Sequence, residues 1–196
     1  MITINGVTIS RDGREIISDF SEQIPAGSIT AIVGQNGCGK STLLAAISGD
    51  IAPEKGTITI DELHPALTPA AQLAQIRAVA IQNQSYSLGF TVKQIIEMAG
   101  PADQVMQDLE LIPLADRQVT TLSGGETQRV SIATAIAQQT PVLLLDEPLS
   151  AQDIASRQRI IKVLKDLAES GVTVVVVAHS HEAELSWADK IINQLL

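Results

Sequence analysis

Gly34-Gln35-Asn36-Gly37-Cys38-Gly39-Lys40-Ser41-Thr42 lies between an apolar run, Ile29-Thr30-Ala31-Ile32-Val33, and the segment Leu43-Leu44-Ala45-Ala46-Ile47-Ser48. Strand, glycine loop and helix in that order are the context a phosphate-binding loop of the G-x-x-x-x-G-K-[ST] type requires. The glycines let the backbone turn its N–H groups inward and form a concave nest for anionic oxygens. A helix beginning near Lys40 adds its N-terminal dipole and unpaired N–H donors. In such a loop Lys40 reaches the β/γ-phosphates and the Ser41 hydroxyl faces Mg²⁺. The stretch reads as a nucleotide site.

Working outward, the 196 residues suffice for one domain with a substantial core. With 45% apolar but only 2% aromatic residues, that core must be built from Val, Ile, Leu and Ala. The formal net charge of −9 argues against a general nucleic-acid binder, because no basic stripe is visible. No apolar run approaches the roughly 18 residues of a membrane span, and Met1-Ile2-Thr3-Ile4 does not read as a signal peptide. Cys38 is the single cysteine, which excludes an intramolecular disulfide and fits a reducing cytosol. It reads as a small residue at a place where a larger one would not fit.

Before the loop, Asn5-Gly6 and Asp12-Gly13 are turn signals, so residues 1–20 read as two short antiparallel strands and a third beginning near Glu15. Gly56 to Ile60 reads as a further strand. From about 61 to 140 the texture becomes helical, with helices expected over Thr68–Ile76, Thr91–Ala99 and Ala102–Ile112, and a strand over Arg77–Gln82. Pro141 to Leu145 and Val172 to Ala178 are continuous apolar strands of the kind buried on both faces of a parallel sheet. Between them Ile154–Ser170 carries an apolar stripe and ends at Gly171. Helix between parallel strands makes the core doubly wound α/β.

Two further motifs narrow the chemistry. Leu145-Asp146-Glu147-Pro148 places adjacent carboxylates at the end of an apolar strand, where open α/β sheets bind ligands. Asp146 suits a metal-holding role, and Glu147 is then free to orient and deprotonate a water attacking the γ-phosphate. In Leu122-Ser123-Gly124-Gly125-Glu126, Ser123 can cap a helix running to about Gln138, and Gly124 and Gly125 leave its first N–H groups open to an anion. Taken alone, Ser-Gly-Gly is a loop as often as a site. Joined to the other two motifs in this order, it is specific.

With these motifs the chain resembles the nucleotide-binding subunit of ATP-binding cassette (ABC) transporters, over nearly its whole length. The resemblance implies a P-loop NTPase (ABC ATPase) core of α/β class, with a small antiparallel β subdomain and a shortened α-helical subdomain. Residues 1–60 and 141–196 would form the nucleotide-binding core of a single domain, and about 61–140 the helical insert carrying the signature motif. It assigns Gly34, Asn36, Gly37, Cys38, Gly39, Lys40, Ser41 and Thr42 to the Walker A loop, and Val142 to Glu147 to Walker B. Ser41, Gln82 and Asp146 would hold Mg²⁺, with Gln84 a weaker candidate than Gln82. Glu147, His179 and Gln82 would be catalytic. His179 ends the last buried strand, where the family's histidine contacts the γ-phosphate, whereas His64 and His181 read as surface residues. Ser123, Gly124 and Gly125 would grip ATP held by a second copy, and Asp153 would bridge the two cassettes.

The resemblance further implies ATP and Mg²⁺ as cofactors and a separate transmembrane permease as partner. A second copy forms the ATP sandwich, and an external substrate-binding protein belongs to the same system. The chain would then sit in the cytoplasm, peripheral on the inner face of the membrane. Arg77-Ala78-Val79…Gln82 and Phe90-Thr91-Val92…Ile95-Ile96-Glu97-Met98, with the Glu126 ending of the signature, resemble importers of iron-siderophore, haem or cobalamin type. The chain departs from the family in three ways. Arg11 stands where an aromatic usually stacks on adenine, a place a guanidinium plane can also fill. The span from Gln82 to Ser123 is short, and Leu149 and Gln152 replace the residues usual before Asp153. The alternatives are a soluble ABC ATPase of a cofactor-assembly or other non-transport machine, and a non-hydrolysing nucleotide switch.

Overall fold

Residue-by-residue alternation in three apolar strands decides how the molecule layers. The computed structural model describes residues 1–11, 13–82, 84, 86, 89–179 and 185–193. A five-stranded parallel sheet runs in the order β5-β6-β7-β3-β8, from β3 (Ile29–Val33), β5 (Arg77–Ala80), β6 (Val142–Asp146), β7 (Thr173–Ala178) and β8 (Lys190–Ile192). Successive side chains of a strand point to opposite faces. Leu143, Leu145, Val174 and Val176 accordingly enter one core, while Val142, Leu144, Val175 and Val177 enter the other. Each such side chain contributes about 1.5–3 kcal/mol by leaving water, so a strand buried on both faces is worth its lack of polar positions.

The first core is closed by helices α3 (Val92–Ala99), α4 (Asp103–Asp108), α5 (Gly124–Ala137) and α6 (Ile154–Glu169). The second is closed by α1 (Lys40–Ser48) and by a three-stranded antiparallel sheet, β2-β1-β4, from β1 (Ile2–Arg11), β2 (Arg14–Ile24) and β4 (Lys55–Ile60). Helices on both faces of a parallel sheet make the core doubly wound, as the apolar runs of the sequence predict. The antiparallel layer and the helical layer lie on opposite faces of it.

Three local expectations change. Asn5-Gly6 is not a turn: β1 continues through it with a register irregularity between Ile4 and Val7, and the Gly6 N–H is taken by the Ser21 hydroxyl at 2.8 Å. The three expected strands are thus one long hairpin, closed where Arg11 pairs with Arg14. The helices expected over 68–76 and 102–112 contract to α2 (Ala70–Leu73) and α4, with short 3-10 turns at Pro65–Leu67 and Ile112–Leu114. Proline at the first positions of both turns favours such single turns over long helices. Strand β8 has too few residues to stand out as an apolar run. It is fixed by tertiary bonds: Asp189 accepts the Ile29 N–H at 2.8 Å, and Lys190 donates to the Gln23 carbonyl at 2.6 Å.

Strand β5, inside the interval 61–140, pairs in parallel with β6 and so belongs to the core sheet. Two of the helices that follow it, α3 and α5, are held together by close backbone contact. A Cβ at Gly100, which ends α3, would lie 1.9 Å from the Ala137 carbonyl oxygen at the end of α5. Gly100→Ala is therefore expected to destabilise the fold by about 1–3 kcal/mol through overpacking. Urea denaturation measures this, and an unchanged midpoint would show that the α3–α5 contact can yield.

Candidate functional site

Parallel pairing brings the carboxyl ends of neighbouring strands to one edge. Val33 is level with Ala178, Asp146 with Val177, and Ala80 with Leu145. The residues that follow these strands, the loop 34–39, Gln82, Glu147 and His179, therefore meet. Arg11, Ile16, Asn36, Gly37, Gly39, Lys40, Ser41, Thr42, Gln82, Glu147 and His179 line a cleft of about 360 Å³, which Gly34 and Cys38 do not border.

The loop is built around its lysine. Lys40 is only 4% exposed, and its ammonium donates to the carbonyls of Gly34 at 2.8 Å and Gln35 at 2.9 Å. Two of its three donors hold the loop's shape, which leaves one for a phosphate oxygen. Gly34, Gly37 and Gly39 all have positive φ, and Gly39 occupies the N-cap position of α1 without a side-chain cap. The first N–H groups of α1 thus face the cleft with no competing hydroxyl, as an anion seat requires. Gly34 has no room for a side chain, because a Cβ placed there would lie 2.7 Å from the Cys38 Sγ.

Ser41 donates its hydroxyl to Asp146 Oδ1 at 3.2 Å, so a hydroxyl and a carboxylate from two elements converge beside the loop. These are hard oxygen donors of the type Mg²⁺ selects, and the pair fits that ion. Burial pushes the Asp146 carboxyl above the usual carboxylate range. The Ser41 bond opposes this and the neighbouring Glu147 charge adds to it.

Glu147 is gripped at both oxygens. Gln82 Nε2 donates to Oε2, and His179 Nε2 contacts Oε1. Its backbone lies in the left-handed region at φ 51°, a conformation that costs a non-glycine residue on the order of 1 kcal/mol or more. Bonds on either side hold it there: the Glu147 N–H donates to the Val177 carbonyl, and the Ser150 N–H and hydroxyl both donate to the Glu147 carbonyl. This turn aims the carboxylate across the sheet edge toward Gln82 and His179. Gln84 does not line the cleft, so the arrangement favours Gln82 of the two glutamines. His64 is exposed as expected, and His181 lies outside the described residues.

Ser123, Gly124, Gly125 and Asp153 do not line this cleft. Ser123 caps α5 in a capping box: its hydroxyl accepts the Glu126 N–H, and Glu126 accepts the Ser123 N–H at 2.8 Å. The Ser123 amide, against the opposing effect of burial and with help from the Arg117 charge, holds the Glu126 carboxyl below its ordinary range. Asp153 caps α6 by accepting the Ser156 N–H at 2.7 Å, and that amide holds its carboxyl down. Sequence reading missed what ties these two caps together. The Gln152 side chain donates to the Gly125 carbonyl, and Arg129 reaches both Gln152 and Ser156. The only signal for this was an unusual polar residue at position 152.

Residues 17–150 match the family model described as ABC transporter. The chain is 36% identical to the hemin import ATP-binding protein HmuV of Rhodococcus jostii, over 96% of this chain and 69% of that protein. It is 37% identical to the cobalamin import ATP-binding protein BtuD of Halobacterium salinarum, over 97% of this chain but only 52% of the relative, about half its length. Among solved structures it superposes on a dimeric post-hydrolysis state of an ATP-binding cassette bound to ADP and Pi, with a TM-score of 0.83 and 25% identity, covering 100% of this chain and 94% of that one.

The raised Asp146 pKa gives a stability prediction. A carboxyl whose pKa is higher folded than unfolded favours the fold below its unfolded value, and that benefit is lost as pH rises through the folded value. In the nucleotide-free protein, Asp146→Asn should therefore raise the melting temperature at neutral pH. The gain should shrink as pH falls through the raised folded value and vanish below the ordinary aspartate range of about 3.9. Scanning fluorimetry across pH tests this, and a gain independent of pH would contradict it.

Proposed function

This chain belongs to the ABC transporter family and is an ATP-hydrolysing cassette of it, and we propose that it powers an importer of metal-chelate type, with haem, cobalamin or iron-siderophore as the class of cargo. The observation that carries the catalytic part is the convergence of Gln82 and His179 on the two oxygens of Glu147, beside the loop of Lys40 and Ser41. The metal-chelate reading rests on the hemin and cobalamin importers among its relatives.

In this reading the loop amides and Lys40 hold the β- and γ-phosphates, while Arg11, exposed at the end of β1 and on the same cleft, stacks on the base. Ser41, Asp146 and Gln82 would hold Mg²⁺, which would supply positive charge to offset that developing on the phosphates. Glu147 accepts a proton from the attacking water, and Gln82 fixes the carboxylate and that water in line with the γ-phosphorus. His179 steadies the opposite carboxylate oxygen and the γ-phosphate. Burial of Asp146 beside Glu147 favours a cation between these acids, since two neighbouring carboxylates repel each other when nothing separates them.

Ser123, Gly124, Gly125 and Asp153 act on the nucleotide of a second copy, in a head-to-tail dimer with ATP at the joint. Their place on helix N-termini outside the chain's own cleft supports this reading. Hydrolysis removes the γ-phosphate contacts that hold the joint closed, and the dimer opens. The permease docks on the apolar surface that follows β5. Ile81 is 50% exposed, Met98 63% and Phe90 36%, and Phe90 and Met98 border one shallow cleft with Gln94 and Glu97. No helix among the described residues is long and apolar enough to cross a membrane. Association with the inner face of the membrane, and with an external substrate-binding protein of the same system, then comes through the permease. A soluble assembly machine is not favoured by any of these relatives.

Glu147→Gln should keep nucleotide binding, lower hydrolysis by at least about 100-fold, and accumulate a dimer with ATP and Mg²⁺. Light scattering after size exclusion reads the dimer and phosphate release reads the rate. A monomer under those conditions contradicts the sandwich, and undiminished hydrolysis contradicts the role of Glu147.

A further inference from the structure

Resting on the sandwich reading, we propose that Gln152 is a positioning residue that clamps the Ser123–Gly125 turn to the segment leading into Asp153 within one cassette, so that both reach the partner's nucleotide as one rigid unit. Gln152 is 7% exposed, and its carboxamide uses both ends: Nε2 donates to the Gly125 carbonyl at 2.9 Å, and Oε1 accepts from Arg129 at 3.4 Å. The same Arg129 nitrogen donates to the Ser156 hydroxyl at 3.2 Å, and the Ser156 N–H is the one that Asp153 accepts. Arg157 fixes the Gln152 carbonyl at 3.1 Å. A continuous polar circuit therefore runs from the start of α5 to the start of α6.

The backbone is equally close. A Cβ at Gly125 would lie 2.6 Å from the Ala151 carbonyl oxygen, and Ala151 itself adopts φ 54°. That leaves no space for a side chain at 125 and makes the contact with residues 151 and 152 a fixed feature of the turn. The chemistry of position 152 matters as well as its shape. An apolar side chain there would fill space but leave the Gly125 carbonyl and Arg129 without a shared partner. A carboxylate would satisfy Arg129, lose the donation to Gly125, and place negative charge beside helix N–H groups meant for a phosphate. A neutral carboxamide links the two helix starts and leaves their positive field intact.

The test places Gln152→Leu and Gln152→Glu in the Glu147→Gln background and titrates ATP with Mg²⁺ while following dimerisation by light scattering. The ATP concentration for half-dimerisation should rise at least about tenfold for Gln152→Leu, as loss of its hydrogen bonds to Gly125 and Arg129 implies, and further for Gln152→Glu. Binding of a fluorescent ATP analogue to the dilute monomer should stay within about twofold of the parent, since the phosphate loop is untouched. A role confined to folding would instead lower the melting temperature and weaken monomer binding without moving the dimerisation curve of the folded fraction. Hydrogen exchange of the Glu126 and Thr127 amides in the nucleotide-free monomer is measured in parallel, with a rise of about tenfold expected in Gln152→Leu. If the Glu147→Gln parent never dimerises, the sandwich reading fails and exchange alone decides the clamp. Unchanged exchange, or an unchanged ATP dependence in a dimerising parent, overturns the inference.

Discussion

The in-register pairing of β5, β6, β7 and β3 is the constraint on which the site depends. The strands are short, β3, β6 and β7 are buried and β5 is half-buried, and their ends are level: Ala80 with Leu145, Asp146 with Val177, Val33 with Ala178. A shift of one residue in any of them would turn its apolar side chains to the opposite face and withdraw its functional residue from the edge. The strand pairing that sets the register therefore also sets where Gln82, Glu147, His179 and the phosphate loop meet. Site geometry and core packing are one interaction viewed from two ends.

Around that edge the chain supports charges that would be unfavourable alone. Lys40 is buried but its ammonium is satisfied by two loop carbonyls, and Asp146 is partly buried with Ser41 as its donor. Glu147 holds a left-handed backbone that only its surrounding hydrogen bonds make tenable. Such arrangements lower the stability of the free protein, and binding of a nucleotide at this edge would offset that. The second set of anion donors, at the start of α5, is preorganised by the Ser123–Glu126 box and the Gln152 clamp yet lies outside the chain's own cleft. In the proposed head-to-tail dimer, one chain would present two half-sites facing different nucleotides.

How much of this was legible in the sequence followed from how local its cause was. The loop after β3 and the buried strands β6 and β7 were readable because glycine spacing and continuous apolar runs occur in few alternative structural settings. The capping role of Ser123 was readable too, since it depends on residues three positions apart. Asn5-Gly6 was misread, because the same dipeptide serves a turn or a strand irregularity, and only pairing of β1 with both β2 and β4 selects the second. Strand β8 and the Gln152–Arg129–Ser156 circuit were invisible because their partners lie far away in the chain. In the sequence residue 152 is only a departure from a family pattern, whereas in the fold its carboxamide links Gly125 and Arg129 of α5 to the segment before α6.

This ATPase is proposed to work on a membrane permease. Affinity purification of the tagged chain from detergent-solubilised membranes of its native cell, with partners identified by mass spectrometry, decides this. A polytopic membrane protein should be recovered in comparable amount, and lost when Phe90 and Met98 are both replaced by aspartate. Recovery of soluble proteins only, with the chain absent from the membrane fraction, would contradict it.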